Sequence, residues 1–288
     1  MDFFTLTSVK EALEKLSALG TDATMVAGGT AVRYQITSGQ IVPKAILHIE
    51  RLSELQGISM NGTTRIGALT CLRDIAENRT IQNGFSAIAT AASKCGGWQT
   101  QSVATIGGNI CGAAPNADLL PPLLVQDAEI ELASKTRGRR KLPLGDFILD
   151  AHKSTRKHDE LATAILLPTQ PERSADVYIR IQRRSAMERP IIGVALRLAL
   201  HENMSRIAQA RIAICGAGPV AFRAVEAENL LAGTVPESDA LNAATDAILM
   251  RSSFRDDARA SAAYRKAVLP RAVTHAVSLC WEFIGGIQ

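Results

Sequence analysis

The chain has 288 residues, 47% hydrophobic and 21% charged, which is enough apolar content for about two cores and too little charge for a disordered segment. A net charge of +4 with only 4% aromatics falls short of a nucleic-acid footprint, which needs a basic stripe interleaved with stacking rings. No run approaches the ~18 apolar residues of a spanning helix, no secretory leader pattern opens the chain, and the five cysteines never form CxxC, so a reducing, cytoplasmic setting is expected.

FFTL, at residues 3–6, reads as a short strand. Ser8 and Glu11 form a capping box ahead of Val9, Ala12, Leu13, Leu16 and Leu19, which recur at helical spacing until Gly20. ATMVAGGT is a buried strand running into a double-glycine turn, and KAILHIE is a second strand. The opening is therefore β-α-β in character, and parallel strands are expected. NGTTRIGALT starts with the hairpin pair Asn61-Gly62, and Thr70 stands where it can cap CLRDIAENR. SAIATAASKCG is a small-residue helix. AEIELAS and RKLPLGDF, joined by KTRGR, read as a hairpin, and ELATAILLP as a further strand.

PTQPERSAD, at 168–176, has two prolines and no apolar periodicity, so a domain boundary is expected there. That gives an N-terminal region of 1–170, with sublobes of about 1–57 and 58–170, and a C-terminal domain of 177–288. VYIRIQRR, IIGVALRLAL and RIAQARIAIC read as consecutive antiparallel strands, the last two joined by HENM. Helices follow in FRAVEAENLLAG, SDALNAATDAILM and SAAYRKAVLPRAVTHAVSLCWEFI, with Pro270 breaking or kinking the last.

Three glycine motifs compete for attention. GAGPVA, Gly216 to Ala221, fits the GxGxxA of a dinucleotide loop, but its strand is the return leg of an antiparallel hairpin and no second βαβ unit follows. A plain turn is the expected reading. The other two, VAGGTAVR (Val26 to Arg33) and TIGGN (Thr105 to Asn109), each follow an extended run and carry a hydroxyl beside the glycines. Glycines let successive N–H groups converge on a phosphate, and two such nests from distant parts of the chain suit a diphosphate. Asp118, just before LLPPLL, is either a helix N-cap or a carboxylate that accepts from a ribose or ribityl hydroxyl. RGRRK at 137–141 reads as a solvated hairpin tip. Arg180, Arg183 and Arg184 open the second domain, where one of them can face an anionic ring or phosphate. The histidines are scattered, with no HExxH and no GxSxG elbow.

These residues resemble a known family. VAGGT, TIGGN followed thirteen residues after Thr105 by Asp118 in APNADLLPPLL, the paired arginines of IQRRSAMERP, and PVAFRAVEAENLLAG are similar to the FAD-binding medium subunit of the xanthine dehydrogenase and carbon monoxide dehydrogenase family, the molybdenum hydroxylases. The resemblance runs essentially end to end. It implies an α+β fold: a two-lobed, vanillyl-alcohol-oxidase-like FAD-binding region followed by a domain of antiparallel sheet and helices. It also implies that Ala27, Gly28, Gly29, Thr30 and Ala31, with Thr105, Ile106, Gly107, Gly108 and Asn109, hold the FAD diphosphate and ribityl chain. Val26, Val32, Arg33 and Leu161 complete the implied cofactor contacts, with Asp118 on the nucleotide side and Arg180 near the flavin. The chain departs from its relatives at Arg180, where many have lysine, and at Glu188-Arg189-Pro190, where many have Asp and a small apolar residue.

The function so implied is electron transfer from [2Fe-2S] clusters through FAD to an external acceptor. The clusters are expected on a small partner subunit and the molybdopterin on a large one. The alternatives are a stand-alone FAD oxidoreductase of the same superfamily, or a scaffold whose glycine loops make only protein contacts.

Overall fold

The computed structural model describes residues 1–185, 187–203, 205–236 and 239–285. Met204, the last residue of the expected HENM turn, and Ser238, the first of an expected helix, lie outside the described residues.

The opening lobe comprises β1 (Asp2–Thr5), α1 (Val9–Leu19), β2 (Ala23–Val26), α2 (Val32–Thr37) and β3 (Ala45–His48). Its three strands are parallel, in the order β1-β3-β2. The expected cap is present: the Glu11 amide donates to Ser8 Oγ at 3.2 Å. The Glu11 carboxylate accepts from Thr7, one residue earlier than in a regular capping box. Val9, Ala12 and Leu16 turn inward from α1 onto Leu6, Leu47, Leu52, Leu55, Leu69 and Leu161, and burying each of these valine and leucine side chains stabilises the lobe by ~1.5–3 kcal/mol.

Next come β4 (Ile58–Asn61), β5 (Thr63–Gly67), α3 (Leu72–Glu77), α4 (Arg79–Gly84), α5 (Ser86–Lys94), α6 (Trp98–Gln101), α7 (Ile106–Cys111) and α8 (Leu120–Val125). They are followed by β6 (Glu129–Ser134), β7 (Gly138–Pro143), α9 (Leu144–Phe147), β8 (Ile148–Asp150), β9 (Lys153–Ser154) and β10 (Glu160–Leu167). The sheet is antiparallel in the order β4-β5-β10-β6-β7. Gly62 turns the β4-β5 hairpin at φ +76°, as Asn61-Gly62 foretold. Two expectations fail. The Thr70 hydroxyl donates to the Gly57 carbonyl instead of capping α3. The strand read into RKLPLGDF ends at Pro143, and α9 takes the rest.

The chain closes with β11 (Ser174–Ile181), β12 (Ile192–Leu200), β13 (Ile207–Cys215), β14 (Phe222–Arg223), α10 (Val225–Leu231), α11 (Asp239–Arg251) and α12 (Ala262–Ile284). The strands β11-β12-β13-β14 are antiparallel throughout. All of β12 is buried, because its two faces serve two cores. Tyr178, Ala195, Ala213 and Cys215 join the core built by α3, α5 and α8, while Val194, Leu196, Leu198, Ile212 and Ile214 join that of the closing helices. Small residues admit the preceding lobe and large ones fill the space under the helices. The helix read from Phe222 begins only at Val225, since Phe222 and Arg223 pair with β13. α12 stays one element through Pro270.

GAGPVA is the turn it was expected to be. Gly216 has φ +79° and lies where a Cβ would meet the Ile191 carbonyl at 2.3 Å, and the segment leads into β14 and not into a helix.

Candidate cofactor-binding site

The first glycine stretch leaves β2 at Val26, whose carbonyl accepts from Ile49 at 2.9 Å, and turns through Ala27–Ala31 into α2. Gly29 sits at φ +67°, where a Cβ is strained. Gly28 has a different reason to be glycine: a Cβ there would fall 1.7 Å from the Val103 carbonyl oxygen. The loop therefore lies directly on the backbone that enters the second glycine stretch, and residues some 75 positions apart in sequence (103 − 28) share one groove. The carbonyls of Gly29 and Ala31 accept from Arg33 and Gln35, starting α2. Among the described residues, the amides of Gly28, Gly29, Thr30, Ala31 and Val32 donate to no protein acceptor. Thr30, Ala31 and Arg33 are exposed. A run of uncommitted N–H groups around a left-handed glycine suits an anionic ligand.

TIGGN is built the opposite way. Thr105 is the N-cap of α7, its hydroxyl accepting from Gly108 at 3.2 Å. The amides of Ile106, Gly107 and Asn109 go to the carbonyls of Thr70, Ala68 and Thr105 at 3.1, 2.8 and 3.0 Å. A Cβ on Gly107 would meet the Ala68 carbonyl at 2.7 Å, so this glycine serves the packing of α7 on the end of β5. The expected backbone nest is thus absent from this stretch, because each of these amides already has a protein acceptor. What it turns outward is the exposed face of Gly108, with Asn109 beside it. Asn109 Nδ2 donates to Cys95 Sγ at 3.7 Å, and its Oδ1 is buried with no partner. An orphaned buried acceptor costs ~1–3 kcal/mol unless a ligand donates to it.

Asp118 turns out not to be a cap. Leu119 holds that position before α8, without a side-chain bond. The Asp118 carboxylate instead accepts at Oδ1 from the Tyr178 hydroxyl at 2.9 Å and from Arg180 Nε at 2.8 Å. Both members of the ion pair are 4% exposed. Burial pushes the Asp118 carboxyl up to about 6, against the downward pull of Arg180 and of the Tyr178 hydrogen bond. The other two nitrogens of Arg180 donate to Gln182 Oε1 and to the Glu188 carbonyl. Two residues expected at separate parts of the cofactor are therefore bonded to each other.

Sequence reasoning missed Tyr178, although a signal was there. Asp176, Tyr178 and Arg180 alternate along β11, and all three reach back to the preceding lobe, Asp176 through Ser86 and Gln126. Leu161 is buried in the core of the opening lobe. The β5 ladder on β10 starts only at Ala164, so at Leu161 that edge of the strand is left unpaired.

A cleft of about 540 Å³ lies elsewhere, between Thr63, Glu129, Pro143 and Arg223, and none of the expected site residues lines it. Its Arg223 and Asp127 pair with each other at 2.6 Å, which leaves it poorer in free donors than the groove at Gly28.

A parallel α/β opening whose turn keeps its amides free, braced by a second glycine stretch and backed by an antiparallel sheet, is an α+β arrangement suited to an anionic ligand such as a diphosphate. Comparison with known proteins narrows this. Residues 1–170 match the family model of the FAD binding domain in molybdopterin dehydrogenase, and residues 177–278 that of the CO dehydrogenase flavoprotein C-terminal domain. The xanthine dehydrogenase FAD-binding subunit of Escherichia coli O157:H7 is 31% identical over 92% of this chain and 90% of its own. The carbon monoxide dehydrogenase medium chain of Hydrogenophaga pseudoflava is 27% identical, over 95% and 94%. The solved carbon monoxide dehydrogenase of that organism, lacking the Mo-pyranopterin moiety of its cofactor, superposes with a TM-score of 0.93 at 27% identity, covering 98% of this chain and 97% of that one. The chain belongs to the family of FAD-binding subunits of xanthine dehydrogenase- and carbon monoxide dehydrogenase-type complexes, and is an oxidoreductase component. Among the described residues, no helix is long and apolar enough to cross a membrane.

Proposed function

We propose that this chain is the electron-transfer subunit of a cytoplasmic molybdenum-containing hydroxylase complex. It would take electrons from [2Fe-2S] clusters on a small partner subunit and pass them to an external acceptor, while a molybdopterin-binding large subunit handles the organic substrate. Residues 1–170, with sublobes of about 1–57 and 58–170, form the FAD-binding region of this reading, and 177–288 its C-terminal domain.

The observation that carries the proposal is the set of uncommitted amides from Gly28 to Val32, held against the Val103 backbone. These would hold the FAD diphosphate without bulky cations, framed by Val26, Ala27 and Arg33. Thr105, Ile106, Gly107 and Gly108 would form the opposite wall, with Gly108 leaving room on its exposed face. Asn109 Oδ1, buried and lacking a donor, would accept from the cofactor. The unpaired edge of β10 at Leu161 offers further backbone groups. Asp118 would present its remaining oxygen to a cofactor hydroxyl while Tyr178 and Arg180 fix its orientation. When bound, FAD supplies the redox chemistry, and the protein contributes orientation and electrostatics.

The test is an absorption spectrum of the purified chain with its co-purifying subunits, followed by chromatography of the released cofactor. About one FAD per chain is expected. Gly108→Trp puts its Cβ 3.0 Å from the Thr105 hydroxyl and the rest of its side chain on an exposed face, so it should lower the melting temperature of the flavin-free chain by only a few degrees and abolish flavin retention. A colourless native complex would favour the scaffold reading.

A further inference from the structure

On the Asp118 side of the site proposed above, the cation expected to face the flavin is Arg180, and Arg180 is not free. It is nearly fully buried and spread over Asp118, Gln182 and the Glu188 carbonyl. Arg183 is also committed: it donates to Glu188 at 2.9 and 2.6 Å and to the Ala258 carbonyl at 3.2 Å. Arg189 is exposed, and among the described residues its side chain has no hydrogen bond and no ion pair.

Backbone geometry holds Arg189 at the site. It directly follows Glu188, whose carbonyl is gripped by the same guanidinium that grips Asp118. Two residues earlier, Met187 lies over the turn that precedes α6, where a Cβ on Gly97 would meet its Cγ at 3.1 Å. That turn begins at Cys95, the partner of Asn109. Burial raises both the Asp118 carboxyl and the Cys95 thiol, and Arg189 is the smallest of the charges that pull both back down.

We infer that, beside Asp118, Arg189 and not Arg180 is the cation that faces bound FAD, and that Arg180 is a positioning residue which orients Asp118 and pins the segment carrying Arg189. The division follows from hydrogen-bonding capacity. Arg180 is committed through Nε and both terminal nitrogens, whereas the donors of Arg189 are all available. An exposed cation of this kind acts through a screened field and single charge-assisted bonds, so its contribution is moderate and salt-dependent.

The inference rests on FAD binding at this site and is tested by equilibrium binding. The full-length chain, stripped of flavin, is titrated with FAD at low and high salt, following flavin fluorescence. Arg189→Gln should raise the FAD dissociation constant about three- to tenfold at low ionic strength, with the difference shrinking at ~0.5 M salt. It should leave the melting temperature of the flavin-free chain unchanged. Arg184→Gln, on the same segment, should bind as the parent does. Arg180→Gln should lower the melting temperature even without FAD and also flatten the salt dependence of FAD binding to that of Arg189→Gln, which a merely structural role would leave unchanged. Parent-like binding by Arg189→Gln, or an equal loss in Arg184→Gln, overturns the inference while leaving the FAD site intact. A parent chain that binds no FAD sinks the site itself.

Discussion

Residues 26–33 and 105–109 each set a glycine pair beside a threonine after an extended run, and the fold uses them in opposite ways. In the first, one glycine admits a neighbouring backbone, the other takes a left-handed turn, and the amides that follow stay uncommitted. In the second, the amides are bound to Thr70, Ala68 and Thr105, so the stretch is a brace and not a nest. A loop that leaves its amides free and the wall that supports it can therefore share one sequence signature. They differ in whether the hydrogen-bonding capacity of the backbone is used internally.

The largest effect that can break this contrast is at Gly28. A methyl group 1.7 Å from the Val103 carbonyl has only backbone to push against. Gly28→Ala should cost ~3 kcal/mol or more and lower the melting temperature by roughly 6–12 °C, with or without FAD. A variant that melts with the parent would mean that the two stretches do not touch.

A second test bears on the buried Asp118–Arg180 pair that ties β11 to the preceding lobe. The Asp118 carboxyl is raised to about 6, chiefly by burial, so the folded state holds its proton more tightly than the unfolded chain does. The associated stability is fully present below the ordinary aspartate value of about 3.9 and is lost as pH rises through about 6. Relative to Asp118→Asn, the parent should lose unfolding free energy between about pH 4 and 6, with the difference flat above pH 7. Chemical denaturation across that range measures it. The opposite slope would show that Arg180 outweighs burial.

The smallest effect separates brace from nest at Thr105. Thr105→Ala removes an N-cap from the short helix α7 and should cost ~1 kcal/mol in the flavin-free chain. Were Thr105 purely a ligand, the flavin-free chain would not register the change.

Much of the fold was legible because its signals are local. Ser8 ahead of a 3.6-residue apolar period announced α1, Asn61-Gly62 announced a hairpin, and the antiparallel setting of GAGPVA warned against a dinucleotide loop. Local reasoning failed where a group had two possible partners. Thr70 reads as a cap, yet it stands one residue before the N-cap Cys71 and its hydroxyl goes to Gly57. Phe222 reads as the start of a helix, yet it completes a sheet. Tyr178 was visible only as one member of an alternating row, with nothing nearby to say what the row faced.

The sequence by itself determined where strands end in glycine turns, which face of each helix is apolar, and that the second half would be antiparallel. Those properties follow from backbone sterics and from side-chain periods of 2 and 3.6. Only the tertiary structure decided which amides would remain free, that Asp118 would bond Arg180 across 62 positions, and that Arg180 would thereby be occupied. The reason is physical: a polar group is satisfied by whatever the fold brings within about 3 Å, and chain order does not encode that distance.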